Sequence, residues 1–282
     1  MSVLIESLSG INLEAAANIL SAAFQRPGNW INDLKFNIKI QPDGYFGAYV
    51  DGVLAGLVGA TIYSAFAYVG LMGVHPEFQR RGVGLALMQY LLSWLDKKNI
   101  PLVLLDASPS GQLLYQKLGF VACELVYVFQ RRKGGSIHRR PVETRILNSK
   151  DLERISATDL QVFGADRSRL LTNLLEKYPD RSFVLQNGLG SFNGYIFARE
   201  ASIGPWVMHE PEDAEPLLQA VLSLPFEGNI SVVVPGSNVK AMTLLTRYGF
   251  EVIRTNLHMK RGSGVRVAQH EKIFSQTSLS LG

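Results

Sequence analysis

Between an apolar strand and an amphipathic helix the sequence reads Val74-His75-Pro76-Glu77-Phe78-Gln79-Arg80-Arg81-Gly82-Val83-Gly84. Glycines at such a junction let the backbone approach a ligand closely, and the start of a helix presents free N–H groups and partial positive charge at the same place. Arg80 and Arg81 add full charges suited to phosphate. The stretch therefore predicts a site for a phosphorylated ligand. The alternative is a capped strand-to-helix turn with two solvated arginines.

Two phosphate-binding motifs can be tested directly against this stretch. The dinucleotide-binding fingerprint requires glycine or alanine at position 87, which is Leu87. A Walker loop requires a Lys-Ser or Lys-Thr pair, and none follows here. Neither motif fits.

Before the loop, residues 52–74 include no charged residue and no histidine, and a stretch of that length could span a bilayer. The stretch nevertheless carries five glycines, is rich in β-branched and aromatic residues, and follows an Asp51-Gly52 turn signal. These features favour two buried strands, Val53 to Ser64 and Phe66 to Val74, over a membrane span.

After the loop, leucines and a methionine recur at helical spacing from Gly84 to Leu95, and lysines followed by Pro101 mark the end of this helix. The pattern predicts strand, helix, helix and strand ahead of the apolar strand pair, and strand, helix and strand behind the long helix. These elements are expected at residues 3–7, 13–24, 30–40 and 45–50, and then at 102–105, 111–118 and 120–129.

The chain has 282 residues, which corresponds to two domains at roughly 150 residues each. Hydrophobic residues make up 47% and charged residues 18%, which excludes a disordered or fibrous chain. The net charge of +4 does not by itself indicate a nucleic-acid partner, but it suits an anionic small ligand.

Cys123 is the single cysteine, so no internal disulfide can form, and five scattered histidines indicate no metal site. We expect a reducing compartment and, with no secretory signal at the start of the sequence, a cytoplasmic protein. Because Cys123 lies in an apolar strand, it is predicted to be a core residue and not a nucleophile.

The second half of the chain repeats the order of the first. Residues 244–250 echo residues 114–120, and Asn187-Gly188 takes the place of the Asp51-Gly52 turn. A weak internal duplication of one α/β unit explains these matches. The basic stretch between the halves has no interleaved aromatic residues, so it is predicted to be a solvated linker and not a nucleic-acid patch. The expected domains are residues 1–133 and 142–282, with the linker at 134–141.

The run Gln79-Arg80-Arg81-Gly82-Val83-Gly84 resembles the Gln/Arg-x-x-Gly-x-Gly/Ala loop of the GNAT superfamily of acyl-CoA N-acyltransferases. The preceding strand, which ends in Val74-His75-Pro76, continues the resemblance. So does Tyr115-Gln116-Lys117-Leu118-Gly119-Phe120, which is similar to the superfamily's Tyr-x-x-x-Gly-Phe helix end. Loop, strand and helix end together, in this order and spacing, form a specific signal.

The second half resembles the same superfamily only in part. Asn238, Ala241 and Gly249-Phe250 match its Asn-x-x-Ala and Gly-Phe positions, but Leu245 stands where the tyrosine would be. No phosphate loop precedes the helix expected from about Asp213 to Leu222. The whole chain therefore resembles tandem GNAT proteins that pair an active first domain with a degenerate second one.

This resemblance implies an α/β architecture of two tandem GNAT-like domains, each a mixed, mostly antiparallel sheet flanked by helices. It also implies acetyl-CoA as co-substrate and no metal. The pyrophosphate would lie on the loop, and the pantetheine arm would pair like an extra strand with residues 72–74, where this strand splays from residues 102–106. The residues expected to bind acetyl-CoA are Met72, Gly73, Val74, Gln79, Arg80, Arg81, Gly82, Val83, Gly84 and Ser108.

For catalysis, the resemblance implies that Tyr115 is the acid that protonates the leaving thiolate. A backbone N–H near Leu71 or Met72 is the expected oxyanion donor. No general base stands out, and Asp106, Glu6 or an ordered water could serve.

The implied activity is transfer of an acetyl group to a primary amine. A small-molecule amine or an amino acid is the expected acceptor, with a protein amino group as the alternative, no nucleic-acid or membrane partner, and a monomer or homodimer as the assembly. Two other classes stay open: an acyl-CoA-binding regulatory or interaction protein without turnover, and a nucleotide-binding protein of another fold.

Overall fold

The computed structural model describes residues 3–8, 12–25, 29–132, 141–186, 191–266 and 268–282. The strands are β1 (Val3–Ser7), β2 (Tyr45–Val50), β3 (Val53–Tyr63), β4 (Phe66–Val74), β5 (Leu102–Ala107), β6 (Val121–Arg131), β7 (Thr144–Ile146), β8 (Ser182–Gln186), β9 (Phe192–Ala198), β10 (Ser202–Met208), β11 (Ile230–Pro235), β12 (Glu251–Gly262) and β13 (Ile273–Ser275). The α-helices are α1 (Leu13–Phe24), α2 (Trp30–Ile40), α3 (Val83–Lys97), α4 (Gln112–Lys117), α5 (Leu152–Phe163), α6 (Ser168–Lys177), α7 (Glu215–Leu222) and α8 (Val239–Arg247).

The chain forms two compact units. Unit 1 comprises the described residues up to Val121 together with Met259–Gly264 and Leu281, and unit 2 comprises the described residues of 122–258 and 265–280 with Gly282.

The sheet of unit 1 has the strand order β1-β2-β3-β4-β5, with the end of β12 beyond β5. The first three pairings are antiparallel, and β4 runs parallel to β5. The uncharged residues 52–74 thus form an antiparallel strand pair, as the turn signal and the β-branched composition predict. Helix α3 follows the expected spacing, because it buries the stripe formed by Val83, Leu87, Met88, Leu91, Leu92 and Leu95.

The sheet of unit 2 has the order β12-β6-β11-β10-β9-β8-β7, and β13 also pairs with β10. Here β10 and β11 are the parallel neighbours, in the place that β4 and β5 hold in unit 1. Each sheet is therefore mixed, mostly antiparallel and flanked by helices, which confirms the predicted fold class.

One sequence expectation in the second half differs from the structure in detail. The helix expected from about Asp213 begins at Glu215, because Pro211–Asp213 forms a separate 3-10 turn before it. The turn expected at residues 187–188 lies outside the described residues, as does the expected linker apart from Pro141.

The prediction that Cys123 is a core residue is wrong, because its side chain is exposed. The neighbouring apolar residues Val121 and Leu125 are exposed as well. Pairing of β6 with β11 starts only at Val126, which is the first buried residue of the strand. Apolar composition alone therefore did not reveal that β6 begins outside the core.

Unit 1 includes a short segment from the far end of the chain. Met259 is buried, and the Gly264 N–H donates to the Pro101 carbonyl at 3.1 Å. The approach is close enough that a Cβ atom added to Gly262 would lie 2.3 Å from the Pro101 oxygen. Gly262 also has a φ of 105°, so glycine suits this position on both counts.

A chain truncated after residue 133 should therefore be less stable than the full chain. Such a chain keeps the phosphate loop and Tyr115 but lacks the segment beside β5, so a sheet edge and its apolar side chains become exposed. We expect a loss of about 2–3 kcal/mol of unfolding free energy, on the order of 10 °C in Tm, measured by thermal unfolding against the full chain. A truncated chain with the full chain's Tm would contradict this assignment.

Candidate functional site

Strands β4 and β5 run side by side only over a short distance. The parallel register pairs residues 67–69 with residues 103–105, although β4 continues to Val74 and β5 to Ala107. On its other edge β4 carries a bulge, since the pairing with β3 places one extra residue between Gly70 and Gly73. Leu71 lies in this bulge with a φ of 50°. The bulge and the short register together open one edge of residues 70–74.

The loop after β4 is shaped by its own hydrogen bonds. The Gln79 side-chain amide donates to the Val74 carbonyl at 2.9 Å, and the His75 ring nitrogen Nδ1 accepts from the Glu77 N–H at 3.4 Å. Arg80 and Gly82 both have left-handed backbone, with φ values of 59° and 84°. The loop therefore turns sharply twice before α3 begins, and a non-glycine residue takes one of those turns.

The start of α3 has unsatisfied hydrogen-bond donors. Gly82 is the N-cap and makes no side-chain cap, and the first bond of the helix runs from the Ala86 N–H to the Gly82 carbonyl at 3.0 Å. The N–H groups of residues 83–85 therefore point out of the helix end, where they favour an anion. Arg80 and Arg81 are exposed beside them, and the Arg81 guanidinium lies 5.8 Å from the centre of the Phe78 ring.

Gly84 lies where three elements of unit 1 converge. A Cβ atom added to it would lie 3.1 Å from Met72 Cε, 3.6 Å from Val74 Cγ2 and 3.6 Å from Leu114 Cδ2. The phosphate loop and the open end of β4 are therefore adjacent at Gly84, and helix α4, which carries Tyr115, lies next to both. The structure brings together the expected residues 72–74, the loop 79–84 and the turn of α4 that carries Tyr115.

Tyr115 is buried on α4. Its ring packs edge-on against Phe120 with 5.9 Å between centroids. Burial raises the pKa of the Tyr115 hydroxyl to about 12, so the phenol stays protonated at neutral pH. A Cβ atom added to Gly111 would lie 3.0 Å from the Tyr115 ring. The small residue at position 111 therefore leaves room for the ring.

The other expected residues lie at and after the end of β5. Asp106 is half-buried and its Oδ2 accepts a 2.6 Å hydrogen bond from the Tyr68 hydroxyl. Ser108 is half-buried, its hydroxyl lies 3.1 Å from that of Ser110, and its carbonyl accepts from the Gly111 N–H at 2.9 Å. Glu6 is exposed on β1, three strands from β4, or about 14 Å at the usual strand spacing. Asp106 is therefore the carboxylate that lies nearer to β4 in the sheet.

Sequence reasoning missed Tyr68, and it missed the hydrogen bond to Val74 made by Gln79, a residue that it expected to bind acetyl-CoA. Tyr68 reads as an ordinary aromatic residue of a buried strand, and only the register of β4 with β5 places it near Asp106. The hydrogen bond from Gln79 to Val74 depends on the backbone path of the loop. No local sequence signal identifies either contact.

Replacing Gly84 with glutamate should block this site. The new side chain would crowd Met72. Its carboxylate would also take the place of the ligand's phosphate at the start of α3, where the interaction with an anion is worth up to about 2 kcal/mol. We expect acetyl-CoA binding to weaken at least about tenfold, measured by calorimetry. The matched control is Gln89→Glu, which adds the same charge to an exposed position later in α3 and should bind as the unchanged protein does. Equal binding by both variants would place the anion elsewhere.

Comparisons with known proteins agree with this geometry. Residues 13–120 match the model of the acetyltransferase (GNAT) family, and residues 155–275 match an acetyltransferase (GNAT) domain model. Holothin acyltransferase from Pseudoalteromonas is 24% identical over 262 residues, which cover 89% of this chain and 86% of that protein. The uncharacterized N-acetyltransferase YitH of Bacillus subtilis is 21% identical over 252 residues, which cover 87% and 88%.

The fold also matches a solved structure. The crystal structure of a protein assigned to the acetyltransferases in Pyrococcus horikoshii superposes with a TM-score of 0.85 at 22% identity, covering 99% of this chain and 96% of that one.

No described helix is both long enough and apolar enough to cross a membrane. No group of three or more histidine, cysteine or acidic side chains with metal-binding geometry occurs in the described part of the chain.

The two domain models together span most of the sequence, and both belong to one family. Their order along the chain agrees with the repeated topology of units 1 and 2. The chain therefore belongs to the GNAT family of acetyltransferases and carries two GNAT domains in tandem.

Proposed function

We propose that unit 1 transfers an acetyl group from acetyl-CoA to the primary amine of an acceptor, by direct attack of the amine on the thioester. The observation that carries this proposal is the convergence at Gly84. At Gly84 the uncapped start of α3 lies next to the open edge of β4 and to the helix that carries Tyr115. In this proposal the anion site binds the pyrophosphate, the unpaired strand edge binds the pantetheine arm, and the protonated phenol supplies a proton to the thiolate.

The residues of unit 1 fit acetyl-CoA chemically. Phosphate suits the N–H groups of residues 83–85 together with Arg80 and Arg81. The amide-containing pantetheine arm suits the open edge at residues 72–74, because its amides can pair with a strand edge as another strand would. Gly84 leaves the space beside Met72 that a side chain would fill.

The chemical step balances without an added reagent. The amine nitrogen bonds to the carbonyl carbon, the carbon–sulfur bond breaks, the nitrogen loses one proton and the sulfur gains one. A backbone N–H at the bulge, from Leu71 or Met72, would donate to the carbonyl oxygen as negative charge develops there. Tyr115 would donate its hydroxyl proton toward the sulfur, and Asp106 or an ordered water would take the proton from the nitrogen.

Tyr115→Phe tests the acid. The substitution keeps the ring that packs on Phe120 and removes only the hydroxyl, so we expect turnover to fall about 10²- to 10⁴-fold while acetyl-CoA binding changes little. Release of free thiol measures turnover, and calorimetry measures binding. Tyr90→Phe, at an exposed tyrosine of α3, is the control and should keep full turnover. Unchanged turnover in Tyr115→Phe would remove Tyr115 from the mechanism.

The pH profile gives a second test of the same residue. The pKa of the Tyr115 hydroxyl is raised to about 12, so the phenol donates its proton at every lower pH and loses that ability only as pH rises toward 12. We expect no decline in turnover from Tyr115 below about pH 11. A decline between pH 8 and 10 that disappears in Tyr115→Phe would contradict the assignment.

Asp106→Asn and Tyr68→Phe separate two roles of Asp106. Asparagine still accepts the hydrogen bond from Tyr68 but cannot take a proton. If Asp106 is the base, Asp106→Asn lowers turnover on the order of 100-fold, at least tenfold more than Tyr68→Phe does. A larger loss in Tyr68→Phe than in Asp106→Asn would instead give Asp106 the role of holding β5 to β4, because only Tyr68→Phe removes the hydrogen bond.

For the acceptor we propose a small-molecule amine or an amino acid. Support comes from the name of one relative, holothin acyltransferase, which is similar over most of both chains. Thiol release with acetyl-CoA over a panel of small amines, amino acids and lysine-containing peptides tests the proposal. Turnover with small amines supports it, and turnover with peptides alone favours a protein amino group. Binding of acetyl-CoA with no turnover on any amine would favour a regulatory protein.

A further inference from the structure

Unit 2 repeats the opening between its parallel strands. The register of β10 with β11 pairs residues 202–203 with residues 231–232 and then ends, although β10 continues to Met208. In unit 1 the register of β4 with β5 ends at Val69, and the residues expected to pair with pantetheine follow three to five positions later. In unit 2 the residues three to five positions after Ile203 are residues 206–208, which therefore correspond to residues 72–74 of unit 1.

In unit 2 this opening is filled by the chain itself. Strand β13 pairs antiparallel with β10, with Trp206 opposite Ser275 and Val207 opposite Ile273. On the other side the Gln276 N–H donates to the Val233 carbonyl of β11 at 2.8 Å. Residues 273–276 therefore form backbone hydrogen bonds with both β10 and β11, the two strands that separate here. We call residues 273–276 the filling strand.

The filling strand is packed as part of the core. Residues 273–277 are all buried, and the Phe274 ring lies 4.8 Å from the ring of Trp206. The Ser275 hydroxyl donates to the Ile203 carbonyl at 2.9 Å. A Cβ atom added to Gly204 would lie only 2.0 Å from the Gln276 oxygen. This fit leaves no room between β10 and the filling strand for a ligand arm.

Side chains of unit 2 also hold the segment on either side. The buried Asn238 amide donates to the Ile273 carbonyl at 2.9 Å and to the Glu271 carbonyl at 3.1 Å. The imidazole of His270, just before the filling strand, contacts the Glu124 carboxylate. Arg199 donates to the Thr277 carbonyl, just after the filling strand, at 3.0 Å.

The rim of this opening carries carboxylates where unit 1 carries two arginines, and Lys240 and Arg247 pair with two of these carboxylates. Where Arg80 and Arg81 follow β4, the segment after β10 carries Glu210, Glu212 and Asp213. Helix α7 then begins with Glu215 and Pro216, so a further carboxylate stands at the helix start and one N–H is missing. Carboxylates at a helix start repel the anion that the start of α3 attracts.

We infer that residues 273–276 permanently occupy the groove of unit 2 that corresponds to the acyl-CoA groove of unit 1, so that the chain binds one acyl-CoA and binds it in unit 1. This inference rests on the proposed function for the location of the groove in unit 1. It gives unit 2 a structural reason for being unable to take the same ligand.

Titration calorimetry of the full chain with acetyl-CoA, without any amine, counts the sites. One site per chain supports the inference, and two sites overturn it. In the Gly84→Glu variant the affinity of this one site should fall at least about tenfold, whereas Gln89→Glu should bind as the unchanged protein does. Undiminished binding by Gly84→Glu would place acetyl-CoA in unit 2 and would also overturn the inference.

Amide hydrogen exchange tests the filling strand independently of binding. Without ligand, residues 206–208 and 273–276 should exchange slowly, and acetyl-CoA should leave them unchanged while slowing residues 70–74 at least tenfold. Rapid exchange of residues 273–276, or slowing there on addition of acetyl-CoA, overturns the inference. If acetyl-CoA does not bind at all, the proposed function fails, and the exchange of residues 273–276 in the ligand-free protein still decides whether the groove is filled.

Discussion

The early separation of β4 from β5 is the constraint on which the rest of unit 1 depends. Pairing ends at Val69 and Leu105, and the bulge then sets Leu71 in a left-handed conformation that costs about 1–2 kcal/mol for a residue with a side chain. Burial of the Leu71 side chain in the core offsets that cost. Without the separation, β5 would pair with the backbone groups at the edge of residues 70–74. No open strand edge would then lie beside the start of α3.

Both units have this separation, and they use it differently. In unit 1 the open edge lies beside an uncapped helix start with two arginines, whereas in unit 2 residues 273–276 close the gap and carboxylates line the rim. Two domains of one fold thus have two openings with different chemistry. The need for backbone partners in a buried sheet explains why the second opening is filled by another strand.

Local sequence patterns predicted much of the fold and of the candidate site. Helical spacing placed α3, turn signals divided residues 52–74 into two strands, and the loop motif with Tyr115 marked elements that meet at Gly84. Contacts that depend on strand register could not be predicted from local sequence. Examples are the hydrogen bond from Tyr68 to Asp106 and the pairing of β13 with β10. Cys123 was misplaced because apolar composition does not show where along a strand burial begins.

In the mechanism that we propose, the opening beside β4 brings the thioester of acetyl-CoA to Tyr115. A crystal structure of the full chain with CoA tests it most directly. We expect the pyrophosphate to lie against the N–H groups of residues 83–85 and the pantetheine arm to lie along residues 72–74. The sulfur should lie within hydrogen-bonding distance of the Tyr115 hydroxyl. CoA bound along β10 in unit 2, or in unit 1 with its sulfur remote from Tyr115, would contradict it.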